Sequence, residues 1–384
     1  MTQAYDVIVV GVGTMGAATC YELARRGKRV LGLEQFDIPH TRGAHHGFSR
    51  LIRLAYFEHP DYVALLRRAY ENWERLQSLT DQRLLFITGG VYIGLLDSEL
   101  VAGSFRAAQE HDLPHELLDH AALRRRFPQF HVAKEMVGFY ESQAGFVSPT
   151  DVMGTYVNQA LRHGAELHGH EPIIGWEATD SHVVVRTSHA EYEAGRVVFC
   201  GGAWSAQLVR DLGVTLTVTR QVMGWVAPLR PELYELGRFP VWALDENRAG
   251  AFAGIHYGFP MTSREPGLKI ALHNPAQPVD PDNVERLPIE GDEATFRPIL
   301  RSLLPEANGP LLAIRTCLYT NSPDGHFIID RHPKHENVIL ACGFSGHGFK
   351  FASVIGEALA DLASDGDTRL PIGFLGLQRF TEKA

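Results

Sequence analysis

The sequence predicts an α/β fold, α+β over the whole chain, in which a parallel βαβ unit is joined to a separate antiparallel sheet. Three observations carry this prediction. Residues 6–10 are an apolar, β-branched run that leads into Gly11-Val-Gly-Thr-Met-Gly16, a helical stretch and a second apolar run at 29–34. Residues 196–205, Arg-Val-Val-Phe-Cys-Gly-Gly-Ala-Trp-Ser, give a second strand ending in a glycine turn. Residues 214–315 change character, with prolines, aromatics and alternating apolar positions such as 218–226 and 268–272.

In order along the chain, residues 17–26 read as a helix stopped by Gly27. Two strands flanking a helix make a βαβ unit, so a parallel sheet follows. Residues 62–76 have helical periodicity, 89–95 read as a strand, and 149–163 as a helix capped near Ser148 or Thr150. Residues 337–342 are a further apolar strand and 351–364 a closing helix. The expected division is therefore discontinuous. Residues 1–85, 145–213 and 317–384 build a nucleotide-binding part, and 86–144 with 214–316 a substrate-facing part.

The chain has 384 residues, a formal charge of −9 and 21% charged residues. That balance excludes a general nucleic-acid partner, which needs a basic face. The local run Arg124-Arg125-Arg126 reads as a solvated helix turn. Of four cysteines, Cys20, Cys200 and Cys342 fall in apolar elements and read as small buried hydrophobes. No CxxC pair is present, so no metal site is expected. The chain opens directly into a strand, and no apolar run has the ~18 residues that span a bilayer. A cytoplasmic location without membrane attachment is the expectation.

Gly11-x-Gly13-x-x-Gly16 lies between a strand and a helix, the setting a dinucleotide fingerprint requires. Gly11 permits the tight turn, Gly13 a close approach to a pyrophosphate, and Gly16 close helix–strand packing. The helix amino end offers N–H groups to phosphates. Glu34 ends the second strand, placed to accept from ribose hydroxyls. This predicts a Rossmann-like dinucleotide site but does not choose between NAD and FAD. Basic residues crowd the stretch His45-His46-Gly-Phe-Ser-Arg50-Leu-Ile-Arg53. They suit a site where an electron-rich ring and an anionic substrate meet.

The most specific segment is Cys317-Leu-Tyr-Thr-Asn-Ser-Pro-Asp-Gly-His-Phe-Ile-Ile-Asp, followed by Gly343-Phe-Ser-Gly-His-Gly-Phe-Lys350. Together with the first βαβ unit, residues 45–53 and residues 257–273, it resembles the monomeric sarcosine oxidase family, which includes N-methyltryptophan oxidase. The resemblance covers essentially the whole chain. It implies a flavoenzyme with an FAD domain and an antiparallel-sheet substrate domain. It further implies FAD attached covalently through its 8α-methyl group to Cys317.

The same resemblance carries the substrate carboxylate ligands onto Arg53 and Lys350. It places Tyr257 and His273 beside the substrate, and Lys269 over the flavin ring as the cation that promotes reaction with oxygen. Arg50 and His46 are implied beside the flavin, and Gly346 and His347 in the turn facing it. The implied catalytic set is thus Lys269, Arg50, His46, Tyr257 and His273, and the substrate set Arg53, Lys350, Tyr257, His273 and Gly346. The implied cofactor contacts are Gly11, Gly13, Gly16, Glu34, Arg42, His45, Cys317, Gly346, His347 and Lys350. Three departures stand out. Phe48 occupies the place of the family's usual acid and Ser49 that of its threonine, and the loop from 257 to 269 is one residue longer. Phe48 and Met261 are expected to make the pocket wall more apolar.

The implied reaction is oxidation of a small secondary amino acid, foremost sarcosine, with oxygen and water giving glycine, formaldehyde and hydrogen peroxide. Other N-methyl or cyclic amino acids (N-methyltryptophan, N-methylalanine, proline, pipecolate) are the alternative substrates. A dehydrogenase feeding a carrier, and a flavin-binding sensor without turnover, are the other classes. The expected partners are the amino acid and oxygen, with the protein a monomer.

Overall fold

The computed structural model describes residues 4–246, 254–273 and 276–381. Two eight-stranded sheets and a small three-stranded one organise it. In the first sheet, Ala4–Val10 lies parallel between Val30–Leu33 and Glu191–Phe199. Glu166–His168 and His335–Cys342 extend the parallel set on either side. Antiparallel strands Ile173–Ala178 and Val183–Thr187 continue from the first half of Glu191–Phe199, and Ile328–His332 pairs with His335–Cys342. Residues 7–10, 30–33 and 197–199 of the central strands are apolar and buried because both faces are covered.

Helix Thr14–Ala24 is buried along its whole length, packed between helices Pro149–Arg162 and Ala352–Asp365. Its approach to the latter depends on Gly356: a Cβ there would come within 2.6 Å of Ala18 Cβ. Helix Tyr62–Gln77 packs on the same closing helix. Asn72 donates to the Ser353 carbonyl and to Glu357, at 3.3 and 2.7 Å. Trp73 Nε1 donates to the Lys350 carbonyl at 2.9 Å. The last bond fixes the backbone of a predicted site residue from a helix predicted only by periodicity. Helix limits differ from the expected ones by a few residues at most, and Gly27, at φ +78°, does end the first helix region.

The second sheet runs in the order Leu311–Asn321, Thr217–Val226, Leu268–His273, Ile255–Gly258, Val241–Asp245, Gly90–Gly94, Val137–Glu141, Glu116–Leu118. It is antiparallel save for one pair, Val241–Asp245 with Gly90–Gly94. Some 145 residues separate those two strands in sequence, so a crossover long enough for parallel pairing is available. Strand Leu311–Asn321 belongs to this sheet over its full length, so a division at 316/317 falls inside it. The helix His120–Arg126 ends in the three arginines, all exposed, with Arg126 paired to Glu116. All four cysteines are free and buried. Among the described residues no helix is long and apolar enough to cross a membrane.

Candidate active site

Two cavities adjoin where the sheets face each other. The larger, about 240 Å³, opens at the carboxyl ends of the parallel strands, where Val10, Leu33, Cys200 and Gly343 form part of its wall. Gly11, at φ +89°, turns there with no room for a side chain, since a Cβ would lie 2.5 Å from the Cys200 carbonyl oxygen. Gly13 and Glu34 line the cavity too. Gly16 sits behind the wall and keeps the helix close: a Cβ there would strike the Gly11 carbonyl. Glu34 accepts from the Val12 and Phe36 backbone N–H groups at 2.9 and 3.1 Å. These bonds leave part of its acceptor capacity for a ligand. His45 also lines the cavity, and its buried Nε2 has no partner among the described residues. Burial, with His40, His46 and Arg50 nearby, holds His45 down to about 3, so its imidazole is neutral. Arg42 is exposed, lies over the Phe36 ring at 4.9 Å and is not in either cavity wall.

The smaller cavity, about 90 Å³, shares Arg50, Tyr319, Gly346 and Phe349 with the larger one. It also collects Arg53, Tyr257, His273, Cys317, His347 and Lys350, residues scattered over nearly three hundred positions. Register explains most of this meeting. Residues two apart on a strand share a face. Cross-strand pairs Trp225–Lys269, Met223–Ala271, Met223–Arg315, Gln221–Cys317, Thr219–Tyr319 and Tyr257–Ala271 place Tyr257, Lys269, His273, Cys317 and Tyr319 on one face of the second sheet.

Arg53 is 5% exposed. Its Nη1 donates to the Ala55 carbonyl at 3.0 Å, and Nη2 donates to both carboxylate oxygens of Glu58 at 2.8 and 2.6 Å. Its guanidinium lies over the Tyr56 and Phe57 rings, 4.4 Å from each centroid. Buried Glu141 braces the same turn by accepting from the Leu54 and Ala55 N–H groups at 2.6 and 3.2 Å. Lys350 Nζ donates to the His347 carbonyl at 3.0 Å. Burial, then the Arg53 charge, pushes Lys350 down to about 7, with Glu58 opposing. Burial raises the Glu58 carboxyl, but Arg53, His347 and Lys350 outweigh it and the net direction is down. Burial holds His273 down to about 4 and His347 to about 3. His347 Nδ1 meets the Tyr56 hydroxyl at 2.5 Å and its Nε2 the Gly325 carbonyl at 2.9 Å.

Lys269 is 1% exposed and lines neither cavity. Its Nζ donates to the Ser49 carbonyl at 2.7 Å and hydroxyl at 3.1 Å, 4.6 Å from the Phe259 centroid. His46 Nε2 meets the Thr316 carbonyl at 2.6 Å, and burial, then Arg50, takes it down to about 3. Arg50 donates to the Ser49 and Ala44 carbonyls, both at 2.9 Å. Burial raises the Cys317 thiol, while Arg50 and Lys269 act against it.

The expected role of Phe48 and Met261 as pocket walls is not what the structure has. Both line a separate surface depression with Phe86, Phe146 and Arg264. Phe48 instead stacks under Arg264, at 5.3 Å, because its neighbour Ser49 takes the inward position. Three site residues escaped the sequence reading. Tyr319 lines both cavities and its hydroxyl meets His273 Nδ1 at 3.3 Å. Its position two residues beyond Cys317 on a strand was the available signal. Glu58 and Glu265 sit in irregular segments, where no periodicity marks an inward side chain.

Residues 6–362 match the family described as FAD dependent oxidoreductase. A monomeric sarcosine oxidase from Streptomyces avermitilis is 43% identical, covering 99% of this chain and 98% of the relative. An N-methyl-L-tryptophan oxidase from Salmonella arizonae is 35% identical, covering 98% and 100%. Among solved structures, NikD, an amino acid oxidase of nikkomycin biosynthesis, superposes with a TM-score of 0.86 at 24% identity, covering 98% of each chain. Glycine oxidase from Geobacillus kaustophilus gives 0.81 at 20%, covering 98% of this chain and 99% of the other. At these identities the two structures speak to the fold.

The residues present fit FAD. A glycine-lined cavity at the parallel strand ends offers unobstructed backbone, a carboxylate with acceptor capacity to spare and an orphaned buried imidazole nitrogen. Gly11, Gly13, Glu34 and His45 would hold the dinucleotide. The chain belongs to the FAD-dependent oxidoreductases, in the family that contains monomeric sarcosine oxidase and N-methyltryptophan oxidase, and is an FAD-dependent oxidoreductase.

Proposed function

We propose that this chain oxidises a small N-methyl amino acid, sarcosine first, using oxygen and water and giving glycine, formaldehyde and hydrogen peroxide. The single observation that carries this is the meeting of Arg53 and Lys350 in the wall of a 90 Å³ cavity, next to Cys317 and Tyr257. Two cations in a small, largely apolar space suit one carboxylate. Arg offers a planar fork and Lys a point charge. Full-length similarity to monomeric sarcosine oxidases supports the same substrate class.

Bound FAD supplies the two-electron acceptor. The chain's own groups do the rest. Arg53 and Lys350 bind and orient the carboxylate. Surrounding cations, Arg50 among them, disfavour a protonated amine and so present it neutral. His273 and His347, both held below neutral, add no charge at working pH. Tyr257, Tyr319 and His273 close the sheet side of the pocket and exclude water. Cys317 is the covalent anchor in this proposal, its thiolate favoured by Arg50 and Lys269 against the cost of burial. Lys269 is the cation that favours charge developing on oxygen.

A second reading has an observation of its own. Leu100, Met223, Ala243 and Ile255 give the cavity an apolar wall, which suits an N-methyl amino acid that carries an aliphatic side chain. Anaerobic bleaching of the flavin absorbance across N-methyl and cyclic amino acids tests both. Sarcosine giving the fastest bleaching supports the first. Faster bleaching by N-methylalanine supports the second, and no bleaching by any of them sinks both. The remaining expectations, a cytoplasmic monomer, are carried by the same proposal.

A further inference from the structure

Lys269 is held by a short chain of buried groups that neither cavity includes. Its Nζ donates to Ser49 Oγ at 3.1 Å, and Ser49 Oγ donates in turn to Glu265 Oε1 and Oε2 at 3.0 and 3.2 Å. The Ser49 hydroxyl has one proton, and Glu265 takes it, so an oxygen lone pair faces the ammonium. All three residues are buried, with Glu265 at 8% exposure. Glu265 comes from the loop between strands Ile255–Gly258 and Leu268–His273, four residues before the lysine it serves.

The electrostatic setting requires such a group. Around Lys269 stand Arg50 on Arg50–Ile52, His46 in the preceding loop, and Arg315 and Cys317 on Leu311–Asn321. The Trp225 and Phe259 rings fill the remaining sides. Two of these neighbours are fixed cations, and Glu265 is the carboxylate among them. A buried ammonium facing guanidinium groups loses its proton unless an anion is near.

We propose that Glu265 is a positioning residue, which through the Ser49 hydroxyl fixes the Lys269 side chain and supplies the counter-charge that keeps its buried ammonium protonated. This rests on the proposed role of Lys269 toward oxygen, and it adds the residue that gives that lysine its charge. Burial, then Arg50, lowers Lys269 to about 7, with Glu265 the largest opposing influence. The lysine therefore stands near the edge of deprotonation, where a neighbouring charge decides its state.

The chain has only six lysines, so Lys269 can be watched directly in the holoenzyme. Lysine labelled with ¹³C at Cε gives one resonance per residue, and the Lys269 signal is the one that Lys269→Met removes. In Glu265→Gln its titration midpoint is expected to fall by about one pH unit or more, while that of Lys350, the other buried lysine among the described residues, stays in place. Ser49→Ala keeps the carboxylate but breaks the bridge, and it too is expected to lower the midpoint. Glu265→Asp restores part of the shift. An unchanged Lys269 midpoint in both Glu265→Gln and Ser49→Ala, with the Lys350 signal intact as evidence of folding, overturns the proposal. The pH profile of flavin reoxidation is expected to move with the midpoint. If the midpoint moves and that profile does not, the pairing stands and the role assigned to Lys269 toward oxygen fails.

Discussion

Glu58 sits on Arg53 as a built-in carboxylate, its two oxygens 2.8 and 2.6 Å from the same guanidinium nitrogen. A substrate carboxylate that binds Arg53 must displace or share this contact. Replacing Glu58 with Gln removes the competing charge while keeping the side chain's size. An acetate-like thioether is expected to bind the Gln variant about tenfold more tightly at pH 6.5, as the competent form of Arg53 becomes more populated. Inhibitor titration followed by flavin absorbance measures it, and weaker binding by the variant would show that Glu58 helps rather than competes.

Arg53→Ala and Lys350→Ala are each expected to weaken the same inhibitor by about 2–4 kcal/mol, the cost of losing one charge-assisted contact in a desolvated site. Steady-state inhibition constants decide this. Unchanged values in both variants place the carboxylate elsewhere.

Carboxylate binding is also expected to depend on pH through Lys350, which burial lowers to about 7. Above that pH the free enzyme holds Lys350 neutral. An anion favours the charged form, so binding takes up a proton. Affinity therefore falls as pH rises from about 7 towards 9, by at most about tenfold per unit, and the slope disappears in Lys350→Met. A wild-type affinity that is flat over this range contradicts the assignment.

Cys317→Ser is expected to leave the fold intact and to abolish covalent flavin. Acid precipitation separates the cases: the wild-type pellet stays yellow and the Ser pellet turns colourless. Free release of all the chromophore from the wild type refutes the thioether.

Lys269→Met keeps an apolar stem and deletes the charge. Flavin reduction by substrate is expected to slow modestly, and reoxidation by about a hundredfold or more, since each ~1.4 kcal/mol of lost stabilisation is tenfold. Stopped-flow resolves both half-reactions. Wild-type reoxidation in the Met variant transfers the role to Arg50, His46 or Lys350.

The parts of this site that were legible in the sequence lie on regular elements or in glycine signatures. Gly11, Gly13 and Glu34 follow from strand ends and turn chemistry, whereas Cys317, Tyr257 and Lys269 came from the family resemblance, and the strand register shows why they meet. What stayed hidden was decided by loops. Nothing in the pattern around Glu58 or Glu265 says which way those carboxylates turn, because a loop has no period to tie side-chain direction to position. The Phe48 expectation failed for the same reason. In an irregular segment, neighbouring positions exchange inward and outward roles, and Ser49 took the inward one. The parallel pair between Val241–Asp245 and Gly90–Gly94 was likewise out of reach, since pairing of strands so distant in sequence is set by the packed whole.

Strand Leu311–Asn321 serves two rooms at once. Leu318 and Thr320 line the larger cavity and Cys317 the smaller one, with Tyr319 in the wall of both. Sliding this strand by a single residue against Thr217–Val226 would turn Leu318 toward the smaller cavity and carry the Cys317 thiol to the opposite face. The long ladder between the two strands therefore acts as a frame lock. Evolution can lengthen the loops at either end, but within this strand it is confined to substitution.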